Sequence, residues 1–242
     1  MLFEDEILDD LQNGLMIIQK KNGFKFGIDA VLLSDFAKNT LSKRTLDLCT
    51  GTGIIPLLLS TKTKTPHICG IEFQEKMADV AKRSVKYNKL EERIEIILGD
   101  LKNAFSIYEK CSFDKITCNP PYMKVNSAVV NDNEGVMIAR HEIMCSLEDV
   151  ISVSSGLLRD KGYFYMVHRP SRLADIIHLM RVYKIEPKKM RMVAPYVGKE
   201  PNLVLIEGIK GGGAELKLLP TLYVYDCDGN YTEEIDKIYG RV

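Results

Sequence analysis

The chain has 242 residues, of which 45% are hydrophobic and 27% charged, and its 33 basic and 33 acidic side chains cancel to a formal net charge of zero. That length suits one α/β domain with additions, and a neutral total excludes a surface that is basic all over, although not a local basic face. No apolar run approaches the ~20 residues of a membrane span, and the acidic start MLFEDEILDD lacks the basic-then-apolar pattern of a secretory signal. The expected location is the cytoplasm, with no membrane association and no obligate protein partner.

In chain order, residues 15–19 and 24–26 read as a short hairpin around 20–23. Asp29 reads as the cap of a helix over 30–37. Residues 45–49 form an apolar run typical of a buried strand, followed by a glycine turn and a helix over 54–60. A strand over 67–72, a helix over 74–88 and strands over 93–98 and 113–118 follow. Residues 144–159 read as a helix, 161–168 as a strand and 171–182 as a helix. Two last strands, near 188–195 and 202–209, read as an antiparallel edge hairpin. Gly211, Gly212 and Gly213 read as a flexible joint to a tail with a strand-like run over 221–225 and a short helix over 231–238.

Strands alternating with helices are the rhythm of a doubly wound, mostly parallel sheet with helices on both faces. The expected organisation is one domain. A hairpin and helix occupy 1–40, the core 41–210 and a C-terminal extension 211–242. The six cysteines are Cys49, Cys69, Cys111, Cys118, Cys145 and Cys227. None forms a CxxC pair, so no metal site is expected. Cys49, Cys69 and Cys118 read as small buried hydrophobes.

The first strand runs into Asp47-Leu48-Cys49-Thr50-Gly51-Thr52-Gly53. A strand, a glycine turn and a helix N-terminus make a nucleotide crevice at the carboxyl edge of such a sheet. The dinucleotide pattern G-x-G-x-x-G is absent: Ile54-Ile55-Pro56 follows Gly53. An acid ahead of the turn suits a cationic ligand instead of a pyrophosphate, and Asp47 is assigned to the amino group of S-adenosylmethionine. Glu72 follows 25 positions after Asp47 at the end of the second strand, where a carboxylate accepts from ribose hydroxyls. Asp100, in Gly99-Asp100-Leu101, ends the third strand and can accept from an adenine amino group. Phe73 and Leu101, beside these acids, complete the expected cofactor contacts with Gly51 and Gly53.

The fourth strand delivers Asn119-Pro120-Pro121-Tyr122. The lone pair of an aromatic amine is delocalised into its ring and is a poor nucleophile. Two acceptors on its hydrogens favour a pyramidal nitrogen, which frees that lone pair for in-line attack on a sulfonium methyl. Asn119 supplies a side-chain carbonyl and Pro120 a backbone carbonyl, and proline stiffens the loop. Tyr122 and Pro121 offer surfaces for a flat, extruded base. Asn119, Pro120 and Tyr122 are therefore the expected catalytic residues, with Asn119 also facing the cofactor. No strong base is required, because the amine loses its proton after it becomes cationic.

These motifs resemble the class I methyltransferases of the amino-methylating branch. The resemblance covers about residues 25–210 and implies a Rossmann-like seven-stranded sheet with an antiparallel last strand. Cys49 departs from the usual glycine of the loop. The segments FKFGIDAVLL (24–33), NPPYM (119–123), ARHE (139–142) and GKEPNLVLIEG (198–208) resemble more closely the bacterial valine-tRNA adenine N6-methyltransferases, which modify adenine 37 beside the anticodon. That resemblance implies tRNA as the partner, Phe26 and Asp29 near the cofactor, and Arg140 and His141 near the substrate. His141 is given a structural or RNA-facing role. The insertion 124–138 is either a substrate lid or a plain surface loop.

Three groups of cations, Lys20, Lys21 and Lys25, then Arg169 and Arg172, then Lys188, Lys189 and Arg191, are either solvated loops or converging phosphate contacts. Competing functions are a protein glutamine N5-methyltransferase, which usually carries an N-terminal helical domain where this chain has only the 46 residues before Asp47, and a ribosomal RNA guanine N2-methyltransferase, which usually reads NPPF. A DNA adenine methyltransferase needs a recognition domain of its own. A silent binding module is disfavoured by the intact Asn119 and cofactor acids.

Overall fold

A computed structural model describes residues 2–21, 27–122 and 145–241. It opens with strands β1 (Glu6–Gln12) and β2 (Leu15–Lys20), antiparallel across Asn13-Gly14. Both turn residues have positive φ, 52° and 78°, as a tight two-residue hairpin requires. β2 therefore pairs upstream rather than with 24–26, and residues 22–26 lie outside the described ones. The hairpin docks on helix α3 (Glu75–Tyr87). Met16 N–H donates to Asn88 Oδ1 at 2.9 Å and Ile18 N–H to Ser84 Oγ at 3.0 Å, so side chains satisfy the outer edge of β2. Arg83 forks onto the buried Glu6 carboxylate with two bonds of 2.7 Å and holds that carboxyl down to about 2.

Helix α1 (Ile28–Phe36) begins at Gly27, so Asp29 lies in its first turn and is not its cap. Residues 30–34 of α1 are all buried, which makes this helix part of the core and not an appendage. The remaining elements are β3 (Arg44–Leu48), α2 (Ile54–Lys62), β4 (His67–Glu72), β5 (Ile94–Leu98), a short α4 (Ala104–Ile107) and β6 (Phe113–Cys118). Then come α5 (Leu147–Leu157), β7 (Leu158–His168), α6 (Leu173–Val182), β8 (Ile185–Ala194), β9 (Leu203–Lys210), β10 (Lys217–Tyr223) and α7 (Glu233–Tyr239). None of these helices is long and apolar enough to cross a membrane.

The main sheet has the order β10-β8-β9-β7-β6-β3-β4-β5, and only β9 runs against the rest. Its central strands β3, β4, β6 and β9 are buried along most of their length, as strands covered from both sides are, whereas β5 and β10 at the edges carry exposed residues. In β7 the period of two is visible: Tyr165 and Val167 join the layer of α1 and α2, while Phe164 and Met166 join the layer of α5 and α6. α2 is apolar nearly all round because every residue from 54 to 60 is buried.

The sheet has eight strands, one more than the resemblance implies. β8 and β9 do pair antiparallel, but β10 from the C-terminal extension adds in parallel beside β8 and takes over the edge. The three glycines before it form a bonded turn where a free joint was expected. Gly211 N–H donates to Lys184 O at 2.8 Å, Gly212 N–H to Ile209 O at 3.1 Å, and Lys161 Nζ donates to Gly211 O. α7 closes the extension by burying Ile235 and Ile238. With β9 alone reversed, the carboxyl ends of β3, β4, β6, β7, β8 and β10 all meet one edge of the sheet.

Candidate active site

The glycine loop leaves β3 at that edge. Cys49, Gly51 and Gly53 have φ of 57°, 58° and 81°, so the turn alternates into the left-handed region. Two glycines adopt this without cost, whereas Cys49 carries the strain of a side chain where the resembling family usually has glycine. Gly53 caps α2, and a Cβ there would meet the Ala81 side chain at 3.1 Å, so the loop is pressed onto α3. A Cβ on Gly51 would meet nothing within 4 Å among the described residues, which leaves the outer side of the loop open.

Asp47 has 0% exposure. Its Oδ1 accepts from Thr117 Oγ1 at 2.7 Å, across the register pair Asp47–Thr117 of β3 and β6. Its Oδ2 has no hydrogen-bond partner among the described residues, and neither does the neighbouring buried Thr50 Oγ1. Burial pushes the Asp47 carboxyl up to about 7, against the pull of Thr117 and with a smaller push from Glu72. An orphaned carboxylate oxygen under a glycine turn fits a cationic ligand group.

Glu72 Oε2 accepts from Gly51 N–H at 2.8 Å and its Oε1 from Gln74 N–H at 2.9 Å. The side chain thus ties the loop to the start of α3, and each oxygen keeps a second lone pair for a ligand. Asp100 Oδ1 accepts from Lys102 N–H at 2.9 Å and caps the turn over Leu101–Asn103. Leu101 is buried, and Phe73 is 47% exposed at the mouth of the edge.

Two strands away from β4, β6 ends in the tetrapeptide Asn119-Pro120-Pro121-Tyr122. Pro120 is buried, while Asn119, Pro121 and Tyr122 are half-buried. The Tyr122 hydroxyl donates to Asn119 Oδ1 and lies 3.1 Å from Asp29 Oδ2. The other Asp29 oxygen accepts from Ala30 N–H at 2.9 Å. Asp29 therefore joins α1 to this tetrapeptide. Burial and the Asp29 carboxylate both push the phenol of Tyr122 well above its ordinary value, so it is a fixed donor. Its ring meets the His168 ring edge-on at 5.2 Å and lies 5.0 Å from the Arg169 guanidinium. The stacking surface read into Tyr122 is thus already partly covered, and its hydroxyl has a role that the sequence did not suggest.

His168 is a residue beside Asn119–Tyr122 that sequence reasoning missed, and Arg169, read only as a possible phosphate contact, lies over the Tyr122 ring instead. His168 ends β7 at the carboxyl edge beside β6, and that position was its only signal. Burial, then Arg172, lowers His168 to about 4, so the imidazole is neutral. Its Nδ1 accepts from Arg169 N–H at 2.8 Å. Cys49 Sγ and Cys145 Sγ sit 3.9 Å apart behind the loop. The described cysteines are all free, and no metal-ligating cluster occurs among the described residues. Phe26, Arg140, His141 and the insertion 124–138 lie outside the described residues.

Four of the described cations in those groups are paired with carboxylates. Lys20 pairs with Asp5 and Glu6 at 2.8 and 3.1 Å, Arg172 with Asp175 at 2.8 Å, Lys189 with Glu207 at 2.9 Å and Arg191 with Glu234 at 2.7 Å. Arg169, from the same groups, lies at the Tyr122 ring.

Charge separates this edge from a dinucleotide site. The carboxyl groups of Asp47 and Glu72 both sit at the glycine turn, where a pyrophosphate would be repelled, and an amide oxygen ends the neighbouring strand where an amine can be held. The class so defined is an S-adenosylmethionine-dependent methyltransferase. More narrowly, the chain belongs to the methyltransferase small domain family, whose model matches residues 25–175. Among curated proteins it is 30% identical over 217 residues to the tRNA1(Val) (adenine(37)-N6)-methyltransferase of Bacteroides thetaiotaomicron, covering 89% of this chain and 83% of that one. It is 29% identical over 218 residues to the enzyme of the same name from Porphyromonas gingivalis, covering 87% and 85%. Among solved structures, a predicted O-methyltransferase from Agrobacterium tumefaciens matches with a TM-score of 0.72 at 21% identity, over 88% of this chain and 95% of that one. That likeness carries the fold alone.

Proposed function

We propose that the protein transfers a methyl group from S-adenosylmethionine to N6 of an adenine in tRNA, at position 37 of valine tRNA, in the cytoplasm. The observation that carries the reading is the end of β6. There Asn119 presents an amide oxygen fixed by the Tyr122 hydroxyl, one strand from the orphaned carboxylate of Asp47. The relatives' shared name supplies the substrate.

When bound, the cofactor supplies an electrophilic sulfonium methyl. The chain's residues do the rest. Asp47 Oδ2 would hold the cofactor's ammonium, Glu72 its ribose hydroxyls and Asp100 its adenine amine, and Phe73 and Leu101 would add apolar contacts. Asn119 Oδ1 and the Pro120 carbonyl each accept one hydrogen of the target amine, which holds its lone pair toward the methyl. The amide oxygen has a lone pair left for this beside the Tyr122 hydroxyl. The nitrogen–carbon bond forms as the carbon–sulfur bond breaks, and the cationic amine then releases a proton to water. His168 is neutral but buried against Tyr122, so it positions the loop and does not act as the base. Preorganised acceptors and alignment carry the rate. Phe26, Arg140 and His141 keep the roles that the resemblance implies, next to cofactor and RNA.

The test is incubation with tritiated S-adenosylmethionine and total tRNA from cells lacking the modification, followed by nucleoside chromatography. Label in N6-methyladenosine is expected. Label in another nucleoside, or in protein alone, would contradict the reading.

A further inference from the structure

The C-terminal extension carries the unexpected eighth strand and three tyrosines that join Tyr196, from the core, in one group. Tyr196 lies in the turn after β8, Tyr225 just beyond β10, Tyr231 opposite Tyr225 in an antiparallel bridge, and Tyr239 at the end of α7. Their rings form one column. Successive centroids are 5.3, 5.4 and 5.6 Å apart, with interplanar angles of 32°, 12° and 16°. Arg241 sits over the far end, 4.7 Å from the Tyr239 ring and 5.2 Å from that of Tyr231.

Core packing accounts for the inner part of the column, because Tyr225, Tyr231 and Tyr239 rest on the buried apolar layer. It does not account for the outer end. Tyr196 is 39% exposed, and Val197 beside it is 76% exposed. The turn that holds Tyr196 is nevertheless fixed by its backbone. Lys199 N–H donates to Tyr196 O at 3.2 Å, Asn202 N–H to Val193 O at 3.0 Å and Tyr225 N–H to Pro195 O at 2.9 Å. The same turn is bonded to the catalytic loop's neighbour: Arg169, 5.0 Å from the Tyr122 ring, donates from Nη1 to Asn202 O at 3.0 Å. Three strand steps separate the end of β6 from the end of β8, roughly 14 Å at the usual spacing.

We propose that Tyr196 is a stacking platform for an unpaired base of the RNA flanking the methylated nucleotide. A rigid, exposed ring beside the site, backed by further rings, is what single-stranded RNA recognition uses. Such a contact adds affinity without reading sequence, because every base has a π face. It deepens the proposed function and rests on it.

The test is steady-state kinetics of the full chain on unmodified tRNA together with fluorescence. Tyr196→Ala is expected to raise KM for tRNA about 5- to 150-fold, and Tyr196→Phe to leave it within about twofold. In both, kcat and the KM for S-adenosylmethionine stay within about twofold of wild type. The chain has no tryptophan, so Tyr196→Trp creates a single reporter whose emission is expected to be quenched by tRNA and not by S-adenosylhomocysteine. An unchanged KM in a folded Tyr196→Ala, or tryptophan emission unmoved by saturating tRNA, overturns the proposal. If Tyr196→Ala fails to fold, the tryptophan titration decides. Wild-type protein that labels no RNA removes both readings, whereas wild-type labelling with silent Tyr196 variants removes only this one.

Discussion

The two halves of the carboxyl edge are built differently. Around the glycine loop each acid is held by something close in the sheet: Asp47 by Thr117 on the adjoining strand, Glu72 by the loop and the residue capping α3, Asp100 by its own turn. Around Asn119 the partners come from far along the chain. Asp29 on α1, His168 at the end of β7 and Arg169 just after it converge on one tyrosine, and Asn202 before β9 holds Arg169. The first half is built from motifs at the ends of neighbouring strands, with Thr117 reaching Asp47 across 70 positions of chain, and the second draws on a helix and loops outside those motifs. A defect in the first half is therefore expected to appear in cofactor binding, and one in the second in turnover or RNA binding.

The largest expected effect is Asn119→Ala. Loss of a preorganised polar group at the reacting atom costs about 10²–10³-fold in kcat. Cofactor affinity by calorimetry is expected to stay within about threefold. A parallel collapse of cofactor binding would erase the division between the halves.

Next is Asp47→Asn. Losing a charge-assisted bond weakens S-adenosylmethionine binding roughly 10- to 150-fold. In the wild type the dissociation constant rises as pH falls below about 7, because Asp47 must shed its proton to meet a cation. The variant loses that dependence. Its ligand-free form is expected to melt higher at pH 8. A raised carboxyl removes stability as pH climbs from the ordinary value of 3.8 toward 7, and an amide does not. A pH-independent wild-type affinity would refute the assignment.

Tyr122→Phe is expected to lower kcat about 3- to 10-fold, since one hydrogen bond that aims Asn119 disappears. Asp29→Asn acts through the same contact, so the double variant is expected to fall short of the product of the singles. Full additivity would separate Asp29 from the catalytic loop.

The smallest effect concerns stability alone. His168 is depressed to about 4, so its contribution is complete above its ordinary value of 6.5 and is lost as pH falls toward 4. His168→Gln is expected to flatten the melting temperature over that window. An unaltered pH profile would show that the imidazole charges freely.

The same division governs how much was legible in the sequence. The glycine loop, Glu72, Asp100 and the tetrapeptide announce themselves because each is a short motif at a strand end, and strand ends share an edge. Asp29 read as a helix cap because only tertiary packing brings it 3.1 Å from the Tyr122 hydroxyl, 93 positions away. His168 carried no motif at all, and Arg169 stood out only as one of a pair of cations with Arg172. Misreading the N-terminal hairpin had a different cause. Asn13-Gly14 is a strong turn signal, but the acidic run beside it hid β1, whose buried Glu6 is tolerable because Arg83 on α3 and Lys20 on β2 meet it. β10 escaped in part because Lys217, Leu218 and Leu219 form a half-exposed edge, and the parallel pairing with β8 cannot be read from either strand alone.

The most direct test of the central claim is fragment mass mapping of valine tRNA from a strain lacking the modification, after incubation with S-adenosylmethionine and either the wild type or Asn119→Ala. One methyl group on the adenosine beside the anticodon with the wild type, and none with a variant that still binds the cofactor, is the predicted result. A methyl group elsewhere, or equal methylation by Asn119→Ala, would contradict it.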